Sequence, residues 1–357
     1  MLPHLHHSYR QLLFKNLRST ARYQLLTLPL VHNAMIFFPY FCCLVLLDNQ
    51  FVSSFLLPKN TCTSGKQIVV AQSQSDEEES LSDKQKQALD EIKNGSNVFI
   101  TGVAGTGKSL VLKRALDYLK DTYNKREYVA LGPTGPSAIA LEGQTIHSFA
   151  GIGIPRTQND FLKTKKRAKQ WKDLKAIVLD EVSMVSAEFF DLLSDAVSGI
   201  RKDPRPFGGI QLVICGDFLQ LSPISPRKYE VEQMLVALQE KEGLDEAEAK
   251  EMLFLNRGFC FQSYGWENAD FTVIELEQVF RQQNKEFIGI LQDIRRGTVS
   301  PATQQFLDVK CKRSLPPNEF GIRPTILHSK NVDVARDNLV ELNQLEGESI
   351  VYESVDT

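Results

Sequence analysis

The chain has 357 residues, 42% of them hydrophobic and 24% charged, and a formal net charge of −3 at pH 7. That length accommodates two domains, and the apolar content is ordinary for a globular protein. The near-neutral total gives no global sign of a nucleic-acid partner, although a basic groove fits inside it. The six cysteines, Cys42, Cys43, Cys62, Cys215, Cys260 and Cys311, show no CxxC pair and no metal-ligand spacing, so they read as reduced structural thiols of an intracellular protein.

Residues 1–80 form a leader. No acidic residue precedes Asp48, while Arg10, Lys15, Arg18 and Arg22 sit among leucines, serines and threonines. This pattern fits a mitochondrial transit peptide or an unstructured extension. The histidines at 4, 6 and 7 lie within it and are read as a stray cluster, not a metal site. The apolar run "MIFFPYFCCLVLL", Met35 to Leu47, is broken by Pro39 and is too short for the ~20 residues that span a bilayer, so no stable membrane partner is expected. The acidic "SQSDEEES" at 73–80 reads as a linker, which predicts a folded region from Leu81.

"NVFIT" (97–101) then reads as a short strand, followed by Gly102-x-x-x-x-Gly107-Lys108-Ser109 and a helical pattern with Val111, Leu112, Ala115, Leu116 and Leu119 on one face. Strand, glycine loop and helix together predict a phosphate cradle. Backbone N–H groups around Gly102, Gly105, Thr106 and Gly107 converge on phosphate oxygens, and the helix N-terminus adds partial positive charge. In this reading Lys108 reaches the β- and γ-phosphates and the Ser109 hydroxyl ligates Mg²⁺.

"YVALGPTGPS" follows, a strand running into a turn of small residues suited to a phosphodiester backbone at Pro133, Thr134 and Gly135. Thr145, His147, Ser148 and Phe149 form a polar-aromatic group able to bond phosphate and stack on a base. The run "KTKKRAKQWKDLK" (163–175) carries seven Lys or Arg, one Asp and Trp171. It reads either as a solvated helix face or as an electrostatic contact with nucleic acid.

The apolar "AIVL" (176–179) has the look of a strand buried in a parallel sheet, and it ends in two acids. Asp180 is placed to hold the Mg²⁺ shell and Glu181 to polarise an attacking water. "QLVICGD" (211–217) is another strand ending in an acid, with Gln220 following near the γ-phosphate. These elements predict an α/β fold, a RecA-like P-loop core with a doubly wound parallel sheet. No NKxD-type guanine signature follows, which favours ATP.

The order "LSDKQ", "GVAGTGKS", "GPTGPSAIALEGQTIHSFAGIG", "LDEVSM", "PFGGIQLVICGDFLQLSPI" and "LEQVFRQ" resembles the petite-integration-frequency (PIF) helicases, RecD-like members of helicase superfamily one. The resemblance runs from about Leu81 to the C-terminus. It implies an ATP- and Mg²⁺-dependent DNA helicase moving 5′ to 3′ on single-stranded DNA, acting at duplex junctions in replication, repair, recombination and telomere maintenance. It also implies a nuclear or mitochondrial location, and a monomer is expected. By this resemblance Gln85 bonds the adenine edge, Thr134 and His147 meet the DNA strand, and Arg281 reaches the γ-phosphate from a second domain across a cleft.

The implied organisation is a first RecA-like domain at 81–228, a charged helical insertion at 229–265 and a second RecA-like domain at 266–357, opening on the strand "DFTVIEL". The "VHKSQG"-like and "YVALSR"-like elements of that family do not occur in these residues, so the second domain is expected to be incomplete as written. A chain that binds ATP and DNA without productive unwinding is the alternative.

Overall fold

A computed structural model describes residues 81–311, 325–345 and 347. The expectations about residues 1–80, including the transit peptide and the Met35–Leu47 run, lie outside them. Among the described residues no helix is long and apolar enough to cross a membrane. The chain divides into two compact units, one ending at Arg295 and one holding the residues from Arg296 onward.

The first unit is built on six strands: β1 (Val98–Gly102), β2 (Tyr128–Gly132), β3 (Gln144–Thr145), β4 (Ala176–Leu179), β5 (Gln211–Cys215) and β6 (Thr272–Leu276). They lie in the order β3-β2-β4-β5-β1-β6, and every pair is parallel. The sheet is doubly wound, as expected from its continuously apolar strands. Because side chains alternate across a strand, Val98 and Ile100 face one layer and Phe99 the other. Ala130, Val178 and Val213 join the first layer, whereas Val129, Leu131, Ile177, Leu179, Leu212 and Ile214 join the second.

The two faces are covered differently. One carries α1 (Asp83–Lys93) and α2 (Lys108–Thr122), which bury Ala88, Leu89 and Ile92 and the predicted stripe Val111, Leu112, Ala115, Leu116 and Leu119. Three short helices follow: α3 (Gly135–Ala140), α4 (Ile146–Ala150) and α5 (Ala168–Asp173). The other face is covered by α6 (Ala187–Arg201) and is aromatic, with Phe161, Trp171, Phe189, Phe190, Phe207 and Phe254 all buried. Burying each such side chain contributes on the order of 1.5–3 kcal/mol.

The segment "PFGGIQ" is a scaffold on this face. Phe207 donates its N–H to Ser194 Oγ at 3.0 Å. Arg201 donates through Nε to Gly208 O at 2.7 Å and through Nη1 to Trp171 O at 2.7 Å.

Two expectations change. The strand assigned to the start of a second domain is β6, which pairs with β1 along its whole length, from Val98↔Thr272 to Gly102↔Leu276. It closes the first sheet because Ile274 and Leu276 alternate into the aliphatic layer. The 229–265 segment is more than a solvated helical insertion. Its helices α7 (Lys228–Glu242) and α8 (Glu246–Met252) bury Leu238, Ala249 and Leu253 between them. The pair docks on the main body through Phe254, whose N–H donates to Arg156 O at 2.9 Å and whose ring enters the aromatic cluster. The charged residues dominate the composition there, and the few apolar ones still find each other.

Past β6, α9 (Lys285–Arg296) buries Ile290, with Phe287, Ile288, Leu291 and Ile294 partly covered. The second unit contributes α10 (Pro301–Cys311) and α11 (Asn331–Leu342). There, His328 Nε2 approaches Asp337 Oδ2 at 2.8 Å.

Candidate nucleotide and DNA site

All strands being parallel, their C-terminal ends share one edge of the sheet. The loops after β1, β2, β3, β4 and β5 carry the predicted site residues out at that edge, where open α/β sheets bind ligands.

The P-loop joins β1 to α2. Gly102 has φ 143°, and a Cβ there would stand 2.3 Å from Leu276 O, so β6 leaves room for glycine alone. Gly107 caps α2 in the left-handed region, at φ 83°. Lys108 Nζ donates to Gly102 O at 2.8 Å and Val103 O at 3.2 Å, which holds the ammonium over the loop. Thr106 Oγ1 donates to Val103 O at 2.9 Å and braces the loop from within, while Ser109 is exposed.

Gln85 lies directly under the P-loop. Its side chain is 1% exposed. Oε1 accepts from Ser82 N–H at 2.9 Å and Nε2 donates to Thr106 O at 3.1 Å. Here the amide is a strut beneath the P-loop, completing a capping box at the start of α1, with both its polar atoms engaged within the protein.

Beyond β4 lie the paired acids. Asp180 Oδ1 accepts from Glu181 N–H at 2.9 Å, and Glu181 sits at φ 52°, ψ 42°, a conformation that non-glycine residues adopt at a cost. Gly216, after β5, allows the close approach of this turn, since a Cβ would lie 2.9 Å from Val182 Cγ1. Burial pushes both carboxyls above their ordinary values, and for Glu181 the neighbouring Asp180 charge adds to the rise. Lys108 works in the opposite direction on both.

Among the described residues no group of three or more His, Cys, Asp or Glu is placed to hold a metal alone. A buried carboxylate whose charge is under-compensated, within electrostatic reach of Lys108 of the phosphate cradle, fits the Mg²⁺ mode in which one or two carboxylates share the ion with phosphates and water. Asp180 and Ser109 are the residues that would hold it.

After β5, Asp217 is 2% exposed and heavily engaged. It accepts Gln220 Nε2 at 3.0 Å and Leu219 N–H at 3.1 Å. It also accepts both arms of the Arg295 guanidinium, Nε and Nη2, at 2.7 Å each. Burial raises this carboxyl, but the Arg295 fork and the Gln220 amide outweigh it and hold it below the usual range. Sequence reasoning missed Arg295. It lies 78 residues from Asp217 in the "RRG" end of α9, and nothing local distinguishes it from Arg296.

Arg281 is placed differently from the expectation. The loop after β6 folds onto the P-loop, with Phe280 N–H donating to Gly105 O at 2.8 Å and Arg281 N–H to the same oxygen at 3.3 Å. Its side chain is exposed at the cradle and belongs to the same compact unit as the P-loop, not to a second domain across a cleft.

The register Gly132↔Thr145 sets the β2 and β3 exits side by side, which brings Pro133, Thr134 and Gly135 next to Thr145 and His147. Thr134 caps α3 through a reciprocal Thr134–Ser137 box, and Thr145 Oγ1 accepts Ser148 N–H at 3.2 Å to cap α4. His147 packs on Phe189 with ring centroids 4.8 Å apart, and burial lowers its pKa, favouring the neutral imidazole. Phe149 is a correction. It is 4% exposed and meets Trp171 edge-on at 4.9 Å, because α4 turns that side inward, so it is core and no base platform.

Residues 80–305 match a family model described as PIF1-like helicase. The chain is 37% identical over 283 residues to the ATP-dependent DNA helicase PIF1 of Danio rerio, covering 78% of this chain and 39% of that protein. It is 34% identical to the ATP-dependent DNA helicase PIF1 of Saccharomyces cerevisiae, covering 77% and 30%. The crystal structure of Pif1 helicase from Candida albicans superposes with a TM-score of 0.63 at 33% identity, over 78% of this chain and 57% of that one. Bacteroides Pif1 in complex with ADP-AlF3 and single-stranded DNA superposes at 0.59 and 26% identity, over 75% and 58%. The chain thus spans about a third of the length of these curated relatives. With the P-loop, the paired acids and the signature motifs all carried by one parallel sheet, the chain belongs to the PIF1-like helicase family.

Proposed function

We propose that this chain is the ATPase-bearing part of an ATP-dependent DNA helicase that moves 5′ to 3′ along single-stranded DNA and opens duplexes at junctions. One observation carries the reading: a phosphate cradle with Lys108, the acids after β4 and the Asp217–Gln220 pair share one sheet edge with the Thr134 and His147 turns. The relatives named ATP-dependent DNA helicase PIF1, and the Bacteroides complex with ADP-AlF3 and single-stranded DNA, support ATP and a DNA strand as the ligands.

In this reading Lys108 leaves the two P-loop carbonyls for the β- and γ-phosphates. Glu181, its carboxyl raised by burial toward the working pH, accepts the proton of the attacking water. Asp180 and Ser109 would hold Mg²⁺, which would supply charge neutralisation at the phosphate oxygens. Gln220 turns from Asp217 toward the γ-phosphate, and Arg281, already lodged at Gly105, adds positive charge at the same place. Thr134, with Pro133 and Gly135, and His147 lie where a strand crosses β2 and β3. The neutral imidazole donates or accepts a hydrogen bond there, not a charge. The family resemblance places the activity in replication, repair, recombination and telomere maintenance, in nucleus or mitochondrion, by a monomer.

The test is ATP hydrolysis by the purified chain with and without single-stranded oligonucleotide, beside Lys108→Ala, and strand separation from 5′- and 3′-tailed duplexes. Stimulation by DNA with opening of the 5′-tailed substrate is the expected result. Hydrolysis indifferent to DNA overturns the proposal and leaves an ATP-binding chain without productive unwinding.

A further inference from the structure

Beside β2, two basic segments that are far apart in sequence meet. Lys125 and Arg126 precede β2, and Lys166, Arg167 and Lys169 come from the turn entering α5. Together they line a cleft of about 510 Å³ in which Asp173 is the sole acid. The segments are tied by backbone: Lys175 N–H and Ala176 N–H both donate to Glu127 O, at 2.6 and 3.1 Å. Trp171, Phe161 and Leu174 are buried beneath, so the lysines stand out on a rigid base.

The charges are left uncompensated selectively. The flanking lysines have partners, Lys163 with Asp160 and Lys175 with Glu127, both at 2.7 Å. The five cations of the cleft are exposed, and among the described residues none of them forms an ion pair. Five unpaired like charges converging on one concavity repel one another unless a polyanion covers them. A chain with net charge −3 that concentrates cations there has a binding surface, not a general basic character.

We infer that this cleft binds the phosphate backbone of duplex DNA. The cleft follows β2 from Lys125 and Arg126 as far as Gln144 and Phe149, the latter on the helix that also carries His147. Single-strand grooves offer aromatic rings on which bases stack. Here Phe149, Val129 and Leu174 are buried in the floor and Tyr128 is half-covered, while the exposed rim is the five cations with Gln144, Gln170 and Asp173 around it. A rim of cations and amides over a floor that offers no free ring recognises backbone alone, and a duplex presents backbone with its bases stacked inside. The inference rests on the DNA reading above and adds a second contact, flanking the single-strand path, where a helicase meets the duplex it is opening.

The experiment compares the wild-type chain, the triple variant Lys166→Gln/Arg167→Gln/Lys169→Gln and a control of equal net charge, Lys228→Gln/Lys241→Gln/Lys250→Gln. Affinities for a blunt 20-base-pair duplex and for a single-stranded 20-mer are measured from 50 to 200 mM salt. Each lost phosphate contact removes about 0.9 from the salt slope on duplex. The cleft variant is therefore expected to lose about 2–3 from that slope and roughly ten- to a hundredfold in duplex affinity at low salt. Its single-strand affinity and basal ATP hydrolysis stay within twofold, and the control behaves as wild type. Unchanged duplex binding overturns the cleft while leaving the helicase reading in place. So does an equal loss on both nucleic acids, or the same loss in the control. Wild-type chain that binds neither nucleic acid overturns the helicase reading itself.

Discussion

The two faces of the central sheet use different chemistry for different ends. The face under α1 and α2 is aliphatic: Ala88, Ile92, Leu112, Ala115 and Leu119 lock the helix that follows the P-loop, with Gln85 wedged beneath it. The face under α6 is aromatic, and its rings hold the turns proposed for DNA: His147 on Phe189, Phe149 on Trp171, Phe161 on Phe254. Small aliphatic side chains let α2 approach the sheet closely, which a phosphate cradle of fixed geometry needs. Large rings reach across the irregular segments between β3 and α6, where no long helix is available to fill the space.

That contrast is sharpened first where the packing loss is largest. Trp171→Ala removes a ring with 0% exposure and is expected to cost about 3–5 kcal/mol in urea unfolding. At temperatures where it remains folded, single-strand affinity should drop while nucleotide affinity holds. Equal losses on both ligands would erase the distinction between the faces.

Arg295→Met strands a buried Asp217 and should cost a similar 3–5 kcal/mol. Arg295→Lys should recover only part of it, since an ammonium cannot reproduce the two 2.7 Å bonds. Because the Asp217 carboxyl is held low, the contribution of this pair is present above about pH 4 and is lost as pH falls through the folded value. The gap between Arg295→Met and wild type should close in acid.

Lys108→Ala leaves both faces intact. Hydrolysis is expected to fall by roughly 10²–10³, with a melting temperature near wild type, as read by steady-state assay and thermal unfolding.

The smallest effect has the opposite sign. Burial raises the Asp180 carboxyl, so its stabilising contribution is complete below about pH 4 and disappears as pH rises through the folded value. At pH 7 its ionised form destabilises the metal-free chain. Asp180→Asn should therefore raise the melting temperature there, with no gain at pH 4 and with hydrolysis abolished. A lower melting temperature at pH 7 would show that the acid is compensated by groups other than a bound cation.

Much of the fold was legible in local pattern. The P-loop, the strand-then-acid ends at Asp180 and Asp217, and the stripe on α2 are short-range signals, set by periodicities that a few residues reveal. β6 was legible as a strand and misplaced, because "TVIEL" says that it alternates and nothing about which neighbour it pairs with. Phe149 looked like a stacking platform beside His147, yet on α4 the two side chains point to different environments. The basic run 163–175 was open between solvent and ligand, and only the fold shows that Lys125 and Arg126 stand beside it.

What the sequence determined by itself was the chemistry available: a glycine loop, a lysine, paired acids, and the motif order shared with a helicase family. What only the tertiary structure decided was company. Gln85 became a strut, Arg281 a neighbour of Gly105, Arg295 the clamp on Asp217, and five scattered cations a single cleft. The physical reason is range. Backbone periodicity and turn preference act over a few residues, whereas charge pairing and close packing act between whatever segments the sheet order sets side by side.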